Sequence, residues 1–166
     1  MRLLWVVAFF GVIAGIYQWG GNRLDEAQVR EFYDQAQTAL AEQDDQTLCA
    51  MLAPDFEQVT LYRADNQQAR KVVSREKYCH DLARTMAQLR SIREATGGEV
   101  PVEHEQTITR ITVAPDQRSA EVETRTLVSA PGMRMTARTR DTVVRERWRM
   151  AIRRSEGTAF IGPAPL

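Results

Sequence analysis

From Gln106 onward the chain alternates apolar and polar residues with a period of two, and this stretch constrains the fold more than any other. Three runs, Gln106 to Val113, Ser119 to Ser129 and Met133 to Val144, are separated by "APDQ" and "APGM", the pattern of half-buried strands joined by turns. If Ala130 to Met133 is a four-residue loop, Ser129 faces Arg134. Even positions before the loop (Ala120, Val122, Thr124, Thr126, Val128) then face odd ones after it (Met133, Met135, Ala137, Thr139, Asp141, Val143). The two apolar faces coincide, and a one-residue slip would turn one of them to solvent. Beyond Val144 the parity changes, with Val144, Trp148, Met150 and Ile152 apolar at even positions. A tight hairpin or a bulge is expected near Arg145 to Arg147. The closing "GTAFIGPAPL" reads as irregular.

The preceding part carries helical periodicity instead. Val29, Phe32, Tyr33, Ala36 and Leu40 share one face of a helix over Leu24 to Ala41. Asp44 or Asp45 caps a second, shorter helix with Leu48, Met51 and Leu52 apolar, ended by Pro54. Val59 and Leu61 alternate with Thr60 and Tyr62 as a strand, "ADNQQ" is a turn, and "ARKVV" is the candidate return strand. Ser74 caps a long helix from Arg75 to about Ala95, with Tyr78, Leu82, Met86, Leu89 and Ile92 as its core stripe and Gly97-Gly98 as its stop.

The N-terminus, "MRLLWVVAFFGVIAGIYQW", has one positive residue, Arg2, followed by an uncharged run from Leu3 to Tyr17. It can be a signal peptide, with small residues near Ala14 and Gly15, or an anchor that stays. Tyr17 and Trp19 favour the anchor, because aromatic residues sit well at a membrane interface. Arg2 holds the N-terminus inside in both cases, so residues 20–166 are expected outside the cytoplasm. The expected location is the bacterial inner membrane with a periplasmic domain, or the periplasm after cleavage. The chain then divides into an anchor or signal at 1–19, a linker at 20–24, one domain at 25–157 and a tail at 158–166. With 22 basic and 22 acidic residues, no global field draws the protein to nucleic acid.

Cys49 and Cys79 are the two cysteines. In an oxidising compartment an even pair reads first as a disulfide, which for a loop of this size would stabilise the fold by about 3–4 kcal/mol. The alternative is two buried apolar thiols. No metal-ligand spacing, phosphate loop or nucleophile triad is present, so neither a metal nor a cofactor is expected. His80 falls off its helix's core stripe and reads as a solvated surface residue.

Two features outside the core pattern remain. Asp141 shares the apolar face with Thr139 and Val143, opposite Val122. A carboxylate there must be protonated, hydrogen-bonded or beside a wet cavity, as a pocket acid or as a structural residue bonded to a helix terminus or a tyrosine. The second feature is a basic stripe: Arg134, Arg138 and Arg140 on the outer face, then Arg145, Arg147, Arg149 and Arg153. It faces anionic lipid or, more simply, solvates the sheet, with Glu123 opposite Arg140.

The element order, with "ALAEQDDQTLCAMLAPDF" and "RDTVVRERWRMAI" as the best local matches, resembles the nuclear transport factor 2-like superfamily, which includes ketosteroid isomerase and polyketide-cyclase-like proteins. The resemblance implies an α+β fold in which three helices from the N-terminal half pack on a curved antiparallel sheet as a cone, here preceded by one hydrophobic N-terminal helix. It also implies a cavity between helices and sheet, for which Tyr33, Tyr62, Thr139, Asp141 and Trp148 are the candidate lining. Carried over through "ALAEQDDQTLCAMLA" without a gap, the isomerase's helix-one tyrosine falls on Ala36, its general base on Thr60 and its second oxyanion-hole acid on Asp141. With the base missing, proton abstraction is disfavoured. The expected function is a membrane-anchored binding module, held by residues 3–19, for a partner protein or small apolar ligand, with a homodimer possible. The alternatives are a pocket isomerase, dehydratase or cyclase using Asp141, and a secretion-system scaffold.

Overall fold

Asp25 stands extended before the first helix and accepts the backbone N–H of Gln28, whose side chain returns to the Asp25 N–H. This reciprocal cap satisfies two of the helix's free donors and starts α1 (Glu26–Ala41). Asp44 caps α2 (Asp45–Ala50) by accepting from Thr47. The chain then extends through β1 (Leu52–Ala64) and β2 (Gln67–Ser74) before α3 (Arg75–Ala95). Four strands follow: β3 (Glu103–Val113), β4 (Ser119–Ala130), β5 (Met133–Glu146) and β6 (Arg149–Gly162). These elements come from a computed structural model that describes residues 23–64, 67–97, 103–130, 132–146 and 148–163. The segment Leu3 to Trp19 lies outside them. Among the described residues, no helix is long and apolar enough to cross a membrane.

The sheet is six-stranded in the order β2-β1-β6-β5-β4-β3, and the three helices pack against it. The β4–β5 pairing puts Ser129 opposite Arg134 and Val122 opposite Asp141, the register that the alternation requires. All pairings are antiparallel except β1 with β6, which is parallel and makes the sheet mixed.

Three local expectations are corrected. Pro54 does not end α2, which stops at Ala50; it lies inside β1, in keeping with the extended conformation that proline imposes on its predecessor. The tail is not irregular from residue 158: β6 continues to Gly162, because β1 on one side and β5 on the other supply its hydrogen bonds. Ile92, expected in the α3 core stripe, is exposed, and Met86 is the buried residue of that helix.

The parity change has two sources. Glu146 pairs with Arg149, so β5 and β6 join through a two-residue turn, with Trp148 at φ +70°. Further along, Thr142 pairs with Arg154 but Val143 with Ile152, leaving Arg153 as an extra residue on β6. That bulge returns Ser155 to the inner face. Gly157 sits opposite Thr139, where an added Cβ would lie 2.7 Å from the Arg138 carbonyl oxygen. Only glycine lets the two strands approach so closely.

The core joins Leu24, Val29, Phe32 and Tyr33 to Ala120, Val122 and Val143 of the sheet. Cys49 and Cys79 form a disulfide, Cα–Cα 5.6 Å, tying α2 to α3.

Candidate functional site

Three successive rows of the inner sheet face define the site. Gln58, Ser155, Asp141 and Val122 lie side by side across β1, β6, β5 and β4. The next row is Thr60, Gly157, Thr139 and Thr124, and the one beyond is Tyr62, Ala159, Ala137 and Thr126. On one side of Asp141 the inner surface of β4, β5 and β6 therefore carries short side chains, with Tyr62 of β1 at their edge.

Asp141 is 5% exposed and Tyr33 3%. The Tyr33 hydroxyl donates to Asp141 Oδ2 at 2.6 Å, a short O–H···O bond. Tyr33 is itself braced by an edge-to-face contact with Phe32, ring centroids 5.9 Å apart. The second carboxyl oxygen, Oδ1, is buried with no partner of hydrogen-bond geometry. Burial pushes the Asp141 carboxyl up from its ordinary value, against the Ser155 and Tyr33 hydroxyls, which favour the ionised form. Tyr33 is pushed far above the ordinary phenol range by burial first, then by the charge and hydrogen bond of Asp141, so it remains a donor. Tyr78, from α3, is raised by burial and then by the charges of Asp141 and Tyr62; its ring meets Phe56 edge to face at 5.4 Å. The hydroxyls of Thr124 and Thr139 lie 2.7 Å apart. Chemically, Tyr33 spends its one O–H on Asp141, so Asp141 Oδ1 is the atom left to meet a ligand oxygen, as donor when the carboxyl carries its proton and as acceptor when it does not.

The structure thus brings Tyr33, Asp141 and Thr139 together and places the half-buried Tyr62 on the same inner face, two rows from Asp141. Trp148 does not join them. It occupies the β5–β6 turn and is 50% exposed, because the parity that put it inward ends at that turn. Sequence reasoning missed Ser155, hidden by the β6 bulge, and took Tyr78 for core packing alone. Of the positions inherited from the isomerase, Ala36 lies three residues from Tyr33 on α1, and Thr60 faces the inner side with a hydroxyl rather than a base. No group of three or more His, Cys, Asp or Glu side chains suited to a metal exists among the described residues.

No protein-family profile matches the chain, and no curated protein matches it. Solved structures do. A scytalone dehydratase-like protein from Novosphingobium aromaticivorans DSM 12444 matches with TM-score 0.58 and 16% identity, over 83% of this chain and 86% of that one. An NTF2-like protein of unknown function from Pseudomonas putida KT2440 matches with TM-score 0.56 and 13% identity, over 80% and 84%. The chain has the nuclear transport factor 2-like fold. A domain with a cystatin-like fold from Nostoc punctiforme PCC 73102 matches with TM-score 0.53 and 12% identity, over 81% and 76%. At such identities the nuclear transport factor 2-like likeness speaks to architecture, and function must be argued from the site.

Proposed function

We propose that the protein is a membrane-anchored periplasmic binding module whose inner sheet face takes a small, mostly apolar molecule by one oxygen. The observation that carries the reading is the Tyr33–Asp141 pair with Asp141 Oδ1 left unpartnered. A buried polar atom without a partner is costly, and a ligand oxygen hydrogen-bonded to Oδ1, a hydroxyl in either charge state or a carbonyl when the acid carries its proton, relieves that cost. The small inner-face residues Thr139, Gly157 and Ala137 lie beside it. Leu3 to Trp19 serves as the inner-membrane anchor in this reading, and the Cys49–Cys79 disulfide is compatible with an oxidising compartment. A pocket enzyme using Asp141 as its acid is the second reading, favoured by the raised carboxyl; it lacks a base, since Thr60 stands where the isomerase base would fall.

The test extracts small molecules from full-length protein purified from its own membrane in mild detergent, beside Thr139→Leu and Asp141→Asn variants. A molecule recovered with the natural protein and lost from both variants supports the reading. Repeated recovery of the natural protein with nothing bound contradicts it.

A further inference from the structure

Trp148 is an expensive residue where it stands. A bulky side chain at positive φ is a backbone outlier, and two-residue hairpin turns prefer Asn-Gly or Asp-Gly. Here a half-exposed tryptophan at φ +70° fills the turn instead. It contributes little core, so its place at the tip points to something outside the domain.

The tip lies at the end of the molecule from which the N-terminal segment departs. The Leu24 N–H donates to the Gln117 carbonyl at 2.7 Å, and the Arg145 N–H donates to the neighbouring Arg118 carbonyl at 3.0 Å. Beyond that contact β5 and β6 project by two more pairs, Arg145–Met150 and Glu146–Arg149, to the turn. Leu24 is five positions beyond Trp19, a reach of at most about 18 Å. In the anchor reading, the membrane surface at Trp19 therefore lies within that reach of Leu24, which is hydrogen-bonded to the turn beside Arg118.

The chemistry of this end fits such a surface. The Arg145 guanidinium lies over the Trp148 ring, 5.7 Å from its centroid, and its Nε is buried without a hydrogen-bond partner. A hollow of about 290 Å³ beside it is lined by Arg118, Ser119, Arg145 and Arg153, with Asp116 and Glu146. Glu146 pairs with Arg153 at 2.7 Å, and Asp116 accepts the Arg118 backbone N–H at 3.0 Å, so three arginines face two carboxylates at this hollow. The Arg118 and Arg145 side chains remain to take an anion. Tryptophan at headgroup depth beside arginine on phosphate is the arrangement of interfacial anchoring.

We infer that the β5–β6 turn docks onto the membrane that anchors the chain, with Trp148 at headgroup level and Arg118 and Arg145 on an anionic lipid phosphate. This rests on the anchor reading above, and one experiment separates the two. The three tryptophans, Trp5, Trp19 and Trp148, are labelled with 5-fluorotryptophan in the full chain, and the Trp148 fluorine signal is identified with Trp148→Phe. The protein is placed in nanodiscs rich in phosphatidylglycerol or made of phosphatidylcholine alone, each with a headgroup spin label. The expected result is loss of the Trp19 and Trp148 signals in the anionic disc, with Trp148 recovering at high salt, in the neutral disc and in Arg145→Gln. A lost Trp19 signal beside a sharp Trp148 signal overturns the docking and leaves the anchor standing, as a protein partner for the turn would require. Loss of Trp148 irrespective of lipid charge overturns the arginine–phosphate contact. Sharp signals from both overturn the anchor and the docking together.

Discussion

Removing the hydroxyl of Tyr33 perturbs one hydrogen bond and, through it, the whole polar centre. Tyr33→Phe preserves the ring that packs on Phe32 but deprives the buried Asp141 Oδ2 of its donor. A buried acceptor deprived of its donor costs about 1–3 kcal/mol, which lowers the melting temperature of a domain this size by roughly 4 °C per kcal/mol. Asp141→Leu, nearly isosteric, strands the Tyr33 hydroxyl instead and should cost a similar amount. The double variant replaces both partners with apolar groups and should be less destabilised than the sum of the singles, because no polar atom of the pair is then left unsatisfied. Thermal denaturation of the full chain in mild detergent, followed by far-ultraviolet circular dichroism, measures all four corners. A coupling of about 1 kcal/mol or more is expected. Additivity within about 0.3–0.5 kcal/mol, the behaviour of independent sites, would refute the claim that Tyr33 and Asp141 act as a unit.

Three further outcomes follow from the same structure. Cys49→Ser should cost about 3–4 kcal/mol by freeing a 30-residue separation in the unfolded chain, read as a melting shift under non-reducing conditions. Gly157→Ala should destabilise by about 1–3 kcal/mol, since the new Cβ meets backbone at Arg138 that cannot swing away; an unchanged melting temperature would show that the strands are not pinched there. The pH dependence has a definite sign. Because the folded carboxyl of Asp141 sits above its ordinary 3.8, the unfolded chain ionises first. Stability relative to Asp141→Asn should therefore fall as pH rises from that value through the folded pKa, by up to about 1.4 kcal/mol per pH unit. Asp44 and Asp81, lowered chiefly by hydrogen bonds from Thr47 and Lys77, act in the opposite sense and cancel in the comparison.

The strands whose burial is one-sided and whose loops are short were the legible ones. The β4–β5 register follows from alternation alone, and with it the inward position of Asp141 and the Glu123–Arg140 ion pair, 2.9 Å in the structure. What alternation could not carry is long-range or irregular. The parallel meeting of β1 with β6 joins segments a hundred residues apart and leaves no mark on either. The extra residue at Arg153 reverses parity midway along β6, which hid Ser155 and made the closing stretch from Gly157 read as irregular although β6 runs to Gly162. At the site, helical spacing put Tyr33 on the buried face of α1, but its bond to a residue 108 positions away depends on how the helix lies across the sheet. Trp148 shows the converse: its apolar character suggested an inward residue, while the turn that reverses the chain put it outside.

The central claim is that Asp141 is a buried acid whose carboxyl is pushed up by burial and oriented by Tyr33. Carbon-13 labelling of aspartate side-chain carboxyls, with Asp141 assigned by the loss of its signal in Asp141→Asn, allows its titration to be followed directly by NMR. The account predicts an inflection above the ordinary carboxylate value of 3.8, rising further in Tyr33→Phe, because the tyrosine hydroxyl favours the ionised form. An Asp141 signal that titrates together with the exposed aspartates, and that ignores the loss of the Tyr33 hydroxyl, would contradict it.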